Sequence, residues 1–289
     1  MRGYQSRPLQ TLLSNYLIEQ TLLGNGLASA FDYQAALADT DLAQTLELQR
    51  KALAGFDTGT LEAQKESVAF WVNAYNFFML EQILTERPDG QLVASVWDYG
   101  GRVNPFVDSV FERKNFVIGG ERFSLSQIEK GVLLGEDYQS RGWKDARVHF
   151  AVNCASVGCP PLREQIYTTA NLEALLEENT RRAFNTQRHL RVTGNTLYGT
   201  ELFKWYRQDF VEAEGSVQAF IRRWITSTMT GLLICRPTWG WQFSSDVEKM
   251  MEIFSICIDQ KRIGARLCIT NVKIHNDRSK MNSKLEMVR

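Results

Sequence analysis

The chain has 289 residues, 44% of them hydrophobic and 11% aromatic, enough apolar material for one large core. Lys+Arg and Asp+Glu both total 33, so the formal net charge is zero. A protein that neutralises many phosphates carries a basic excess, so nucleic acid is not an expected partner.

No stretch reaches the roughly 18 uninterrupted apolar residues that a spanning helix needs. The densest run, Val68 to Leu84, is interrupted by Asn73, Asn76, Glu81 and Gln82 and reads as a core helix. The N-terminus, Met1 to Arg7, shows no apolar region followed by a small-residue cleavage site. The chain as written therefore predicts a cytoplasmic protein, and a periplasmic or secreted one if a signal precedes it. Five cysteines, at 154, 159, 235, 257 and 268, are odd in number and irregularly spaced, which does not suggest a disulfide scaffold. A local Cys154–Cys159 bridge is compatible with an oxidising compartment.

In chain order, Leu9 to Leu23 and Phe31 to Leu53 show helical spacing of apolar residues, broken at Gly24-Asn25-Gly26. Thr60 is a candidate N-cap for a long helix to about Thr85. That helix is apolar nearly all round, so other elements should surround it. Asn115 to Ile118 and Arg122 to Ser124 predict a hairpin across Gly119-Gly120. Ser124 and Gln127 form a capping-box pattern that opens a helix to Leu133. Arg147 to Asn153 reads as a short strand. Asn171 caps a helix to about Phe184, and a second hairpin spans His189 to Tyr198. Thr200 opens a helix over Leu202 to Val211, on which Trp205, Tyr206 and Phe210 are spaced as a core stripe. Ser216 caps a last one over Val217 to Thr226. From Ser245 come an amphipathic helix, an alternating strand and a polar tail. The fold class is α+β: a mainly helical single domain over residues 1–243, with short antiparallel strands packed around a central apolar helix. Residues 244–289 read as a C-terminal appendage.

Several blocks carry a family resemblance: Ala69-Phe70-Trp71-Val72-Asn73-Ala74-Tyr75-Asn76; Ile118-Gly119-Gly120 with Phe123-Ser124-Leu125 and Ile128-Glu129; Asp145 to Cys154; Cys159-Pro160-Pro161-Leu162-Arg163; and Phe203-Lys204-Trp205-Tyr206 with Asp209-Phe210. In that order they resemble the bacterial branch of the domain-of-unknown-function 547 family. The family usually has His after Ile128-Glu129, where this chain has Lys130. Its terminal Tyr-Asp-Trp-Ser-Leu-Asn pattern appears here as Trp239 to Ser244, without the Asp. The resemblance implies a family without an established reaction.

Candidate chemistry centres on His149, Asn153, Cys154 and Cys159. A thiol nucleophile needs a base within roughly 3 Å and a group that orients the base. Along an extended strand His149 and Cys154 would lie about 16 Å apart, so a sharp turn is required. Cys159 is the better placed partner, since Ala155-Ser156-Val157-Gly158 can fold back, and His189 is an alternative base. Asn153 or loop N–H groups are candidates for an oxyanion site. Glu129 would orient His149, or pair with Arg147 or Arg163. Asn73 and Asn76, at i and i+3, share one helix face and either hold an adjoining loop or, with Arg147, line a binding pocket.

No second Cys or His pair completes a zinc set, and neither a phosphate loop, a dinucleotide fingerprint nor a nucleophile elbow is present. No metal or cofactor is expected. Two functions fit. One is a thiol-dependent hydrolase of amide or peptide bonds, with Cys154 or Cys159 as nucleophile and His149 as base, acting on a peptide or small molecule. The other is a non-catalytic binding or scaffold domain with a structural Cys/His/Asn loop. The oligomeric state is not legible.

Overall fold

A computed structural model describes residues 6–100, 108–156, 158–193, 196–225 and 240–243, all within one compact unit. The appendage expected at 244–289 and Cys235, Cys257 and Cys268 lie outside the described residues. The elements are α1 (Arg7–Tyr16), β1 (Leu17–Thr21), β2 (Leu27–Phe31), α2 (Tyr33–Ala38), α3 (Leu42–Ala54), α4 (Gln64–Thr85), β3 (Phe116–Ile118), β4 (Glu121–Phe123), α5 (Glu136–Ser140), α6 (Leu172–Phe184), β5 (Leu190–Thr193), β6 (Thr196–Gly199), α7 (Leu202–Trp205), α8 (Arg207–Glu214), α9 (Val217–Trp224) and β7 (Gly240–Phe243). A π-helical segment, Gln127–Leu133, and a 3₁₀ turn, Ala146–Phe150, complete the site region. The α+β class holds, with helices dominating and strands in small sheets.

Helix α4 is the centre, as its composition predicts: every residue from Ser67 to Leu84 is buried. Around it pack α1, α3, the β3–β4 hairpin, the π segment and the start of α6. A second apolar cluster gathers Phe150, Phe184, Phe203, Phe210 and Phe220 with Trp224. Several of these rings meet edge to face, the arrangement that aromatic quadrupoles favour.

The β3–β4 hairpin forms in the predicted place, with Phe116 opposite Phe123. Both turn glycines have positive φ, 58° and 83°, which only glycine adopts without cost. The Ser124–Gln127 capping box is reciprocal: Gln127 N–H donates to Ser124 Oγ and Ser124 N–H to Gln127 Oε1. The helix it opens is a π turn, closed by Leu134 N–H on Glu129 O at 3.0 Å. β5 pairs antiparallel with β6, as expected, and β6 also pairs in parallel with β7.

Four local expectations change. Leu17–Thr21, expected within a helical run, is instead a strand paired with Leu27–Phe31. Gly24 and Asn25 both take left-handed φ and reverse the chain tightly enough to pair its two arms, which overrides helical spacing. Thr60 does not cap α4; it sits in a 3₁₀ turn opened by the Asp57 carboxylate, and α4 begins at Gln64. Arg147 to Asn153 is not a strand, because the Asp145 carboxylate accepts the Arg147 N–H at 2.8 Å and starts a 3₁₀ turn. A run buried nearly throughout, Val148 to Val152, has no periodicity that separates these alternatives. Finally, the helix opened by Thr200 breaks at Tyr206 into α7 and α8, so the expected core stripe splits: Phe210 is buried, whereas Trp205 is 43% exposed.

Truncating a ring in the enclosed helix removes packing that nothing replaces. Phe77→Ala should cost about 3–5 kcal/mol, while Leu23→Ser, at a fully exposed position, should stay within about 0.5 kcal/mol. Urea unfolding read at constant slope checks this; similar midpoints for the two variants would contradict the central place of α4.

Candidate functional site

Two carboxamides of α4 locate the site. Asn76 Nδ2 donates to Ala151 O at 3.0 Å, and Asn76 Oδ1 accepts the Asn153 N–H at 2.9 Å. One turn earlier, Asn73 does the same to Tyr167, donating to its carbonyl and accepting its N–H. Each side chain mimics a strand partner for loop backbone that would otherwise lie buried and unpaired. The chain between these anchors carries the disulfide loop. There Asn153 turns on its own loop, donating to Pro160 O at 2.7 Å and accepting the Ala155 N–H at 2.8 Å. Ala155 has φ +56°, a left-handed conformation that costs a non-glycine residue about 1 kcal/mol and that the Asn153 turn holds in place.

Cys154 and Cys159 are bonded to each other, with Cα atoms 6.0 Å apart. Cys154 is half-buried and Cys159 buried. Both sulfur-bearing residues line a cleft of about 770 Å³, together with Tyr75 of α4, Glu129 and Lys130 of the π segment, His149, Trp97, Phe111, Trp205, Tyr206 and Asp209. The turn required after His149 therefore exists, and imidazole and sulfur share one cleft. In the bonded state neither is a thiol, and nucleophilicity requires the thiolate.

His149 is fully buried and held between two carboxylates. Its Nε2 lies 2.9 Å from Asp209 Oδ2. Its Nδ1 faces Glu129 Oε1 at 3.4 Å, an ionic approach without hydrogen-bond geometry. Asp209 is in turn 2.8 Å from Lys144 Nζ, which also meets Glu212 at 2.7 Å. The Tyr206 ring lies against the imidazole, centroids 3.9 Å apart and planes tilted by 32°. Burial alone would strip the proton from His149, but the Asp209 bond and the Glu129 charge outweigh it, and its pKa is raised. For Asp209, burial pushes up while His149 and Lys144 pull down harder, leaving a lowered pKa. Burial, then the Glu129 charge, lifts the Tyr206 hydroxyl above its ordinary range. With both ring nitrogens facing carboxylates, the protonated form of His149 is favoured over that of a free imidazole.

The remaining expected residues separate. Glu129 does face His149, rather than Arg147 or Arg163. Arg147 is engaged by Asp145 and Glu173 and is not among the cleft residues. Asn73 and Asn76 hold loops, as one of their two readings proposed. Asn153 donates to and accepts from its own loop and borders a different cleft. His189, the alternative base, borders that second cleft. Asp209, Lys144 and Tyr206 were not singled out from the sequence. Asp209 and Tyr206 stood in a resembling block at i and i+3, a spacing that puts two side chains on one helix face. Among the described residues no group of three or more His, Cys, Asp and Glu side chains is arranged to hold a metal ion, and no helix is long and apolar enough to cross a membrane.

Residues 59–183 match the family model described as "Protein of unknown function, DUF547". This stretch belongs to the DUF547 family. It holds α4, Glu129, Lys144, His149 and the disulfide loop, while Tyr206, Asp209 and Glu212 come from the chain beyond the DUF547 match. No curated protein and no solved structure matches the chain.

Two outcomes test this geometry. A raised His149 pKa means stability that is fully present below the unfolded value of about 6.5 and is lost as pH rises through the folded one. The lowered Asp209 pKa means stability present above about 3.9 and lost as pH falls through its folded value. The pair should stabilise most between about pH 4 and 6.5. By NMR, the His149 ring proton should titrate above 6.5 and move downward in Asp209→Asn; a midpoint below 6.5 in the native protein would contradict the arrangement. Separately, Asn76→Ala strands a buried N–H and a buried carbonyl, at about 1–3 kcal/mol for each. Native-state hydrogen exchange should show residues 151–160 opening first. Uniform loss of protection along the chain would show that the carboxamide does not anchor the loop.

Proposed function

We propose that this DUF547 protein is a thiol-dependent hydrolase of amide or peptide bonds, with Cys154 as its nucleophile once the bond to Cys159 is reduced. The observation that carries this reading is the half-buried Cys154 in a cleft that also holds an imidazole set between two carboxylates. A nearby fixed positive charge lowers a thiol pKa by favouring the thiolate. Aromatic walls from Trp97, Phe111 and Trp205 suit the apolar surface of a peptide substrate.

The chemistry begins with two electrons and two protons from an external dithiol or phosphine, which convert the disulfide to two thiols. The Cys154 thiolate then attacks the substrate carbonyl carbon, and the C–N bond breaks as the amine leaves with a proton from water. A second water hydrolyses the thioester, releasing the acid and restoring the thiol.

A second reading, a non-catalytic binding domain, draws on a different observation: Asn73, Asn76 and Asn153 all spend their carboxamides on loop backbone. It predicts saturable ligand retention without turnover.

A mixture of short peptides analysed by mass spectrometry separates the two. Cleavage should appear only after reduction in the native chain. Cys159→Ser should cleave without reductant, and Cys154→Ser should lose at least about 10³-fold in rate. Peptides left intact by folded Cys159→Ser would sink the hydrolase reading.

A further inference from the structure

The bond between Cys154 and Cys159 joins residues only 5 positions apart. A cross-link stabilises a fold more the longer the loop it closes, so this bond stands at the weak end as a brace. The loop is also held by other means. Asn76 fixes Ala151 and Asn153 on one side, and Asn153 Nδ2 reaches across to Pro160 O on the other. Within the loop, Cys159 N–H donates to Ser156 O at 3.0 Å and Gly158 N–H to Ser156 Oγ at 3.3 Å. These contacts use no sulfur, so they do not depend on the bond. They hold the two cysteines with Cα atoms 6.0 Å apart, within the range from which a disulfide closes.

The two cysteines are not equivalent. Both line the cleft of about 770 Å³, but Cys154 is half-buried and Cys159 buried. An accessible cysteine beside a buried one suits thiol–disulfide exchange, in which the first forms a mixed disulfide and the second resolves it.

We infer that Cys154 and Cys159 form a working redox pair, which passes two electrons from an external dithiol to a small disulfide that enters the cleft. The Cys154 thiolate attacks one sulfur of that disulfide. A bond forms between the two, the external S–S bond breaks, and its other sulfur leaves as a thiolate. The Cys159 thiolate then attacks Cys154 Sγ, closing the protein bond and expelling the second external thiolate. Both leaving thiolates take up the protons that the protein thiols gave up, so the external disulfide gains two electrons and two protons. A dithiol returns them to the protein by the reverse steps. Aromatic walls from Trp97, Phe111 and Trp205 favour a partner with apolar groups around its sulfurs. This activity does not rest on the hydrolase reading: hydrolysis calls on Cys154 alone, whereas exchange calls on both sulfurs.

The test uses hydroxyethyl disulfide, an uncharged probe, added to the full chain after reduction by dithiothreitol and removal of the reductant. Peptide mass spectrometry follows Cys154 and Cys159 apart from the other cysteines. In the native chain the pair should pass from free thiols to the bonded form without a lasting adduct, and dithiothreitol should reverse the change. Cys159→Ser should stop at a stable adduct on Cys154. Cys154→Ser should form an adduct on Cys159 at least about tenfold more slowly, because that residue is buried. Should either variant fail to fold, the native chain still decides. Hydrogen-exchange protection over residues 151–160 should survive reduction to within about tenfold, the loop being held without the bond. An adduct that persists on Cys154 in the native chain, first attack at Cys159, no reaction of the reduced native chain, or loss of the loop's protection on reduction would each overturn the inference.

Discussion

Helix α4 is enclosed from Ser67 to Leu84, so each polar group it carries must find a partner inside the protein. Asn73 and Asn76 find theirs in loop backbone, at Tyr167 and at Ala151 and Asn153. The consequence is positional. A segment without long regular structure is fixed at two points to the most rigid element of the fold, and the disulfide loop hangs between them. A side chain of similar volume without the amide would leave both ends of the loop with buried, unpaired backbone.

Around that anchor the charges alternate: Glu129, His149, Asp209, Lys144, Glu212. Charges taken out of water are costly unless paired and hydrogen-bonded, and removing one member of such a chain is worse than replacing the whole. The arrangement therefore favours the protonated form of His149 and holds its ring between two carboxylates. When protonated, a ring held this way is a source of positive potential, and the cleft it borders contains the Cys154–Cys159 bond.

Much of the architecture was legible in the residues. An apolar helix without a polar stripe had to be central, Gly119-Gly120 had to turn, and Ser124 with Gln127 had to cap. The site region was partly legible, because histidine, cysteines and carboxamides cluster within a few positions of one another. What the residues did not reveal is tertiary. Asp209 lies 60 positions from His149, and no local pattern announces that contact. The 3₁₀ turn at Ala146–Phe150 was hidden because a mostly buried run looks alike as strand or helix. Likewise, the β1–β2 hairpin turns on the left-handed pair Gly24-Asn25, whose effect outweighed the helical spacing on either side.

Reactivity at the cleft turns on whether the imidazolium lowers the pKa of the Cys154 thiol once the disulfide is opened. The most direct measurement is the rate of iodoacetamide labelling of each cysteine against pH, read by peptide mass spectrometry on the reduced, folded chain. Cys154 should label with an apparent pKa well below the ordinary 8.5 or so, and ahead of buried Cys159. Labelling of Cys154 only near or above that ordinary value, or no faster than Cys159, would contradict an electrostatic role for His149.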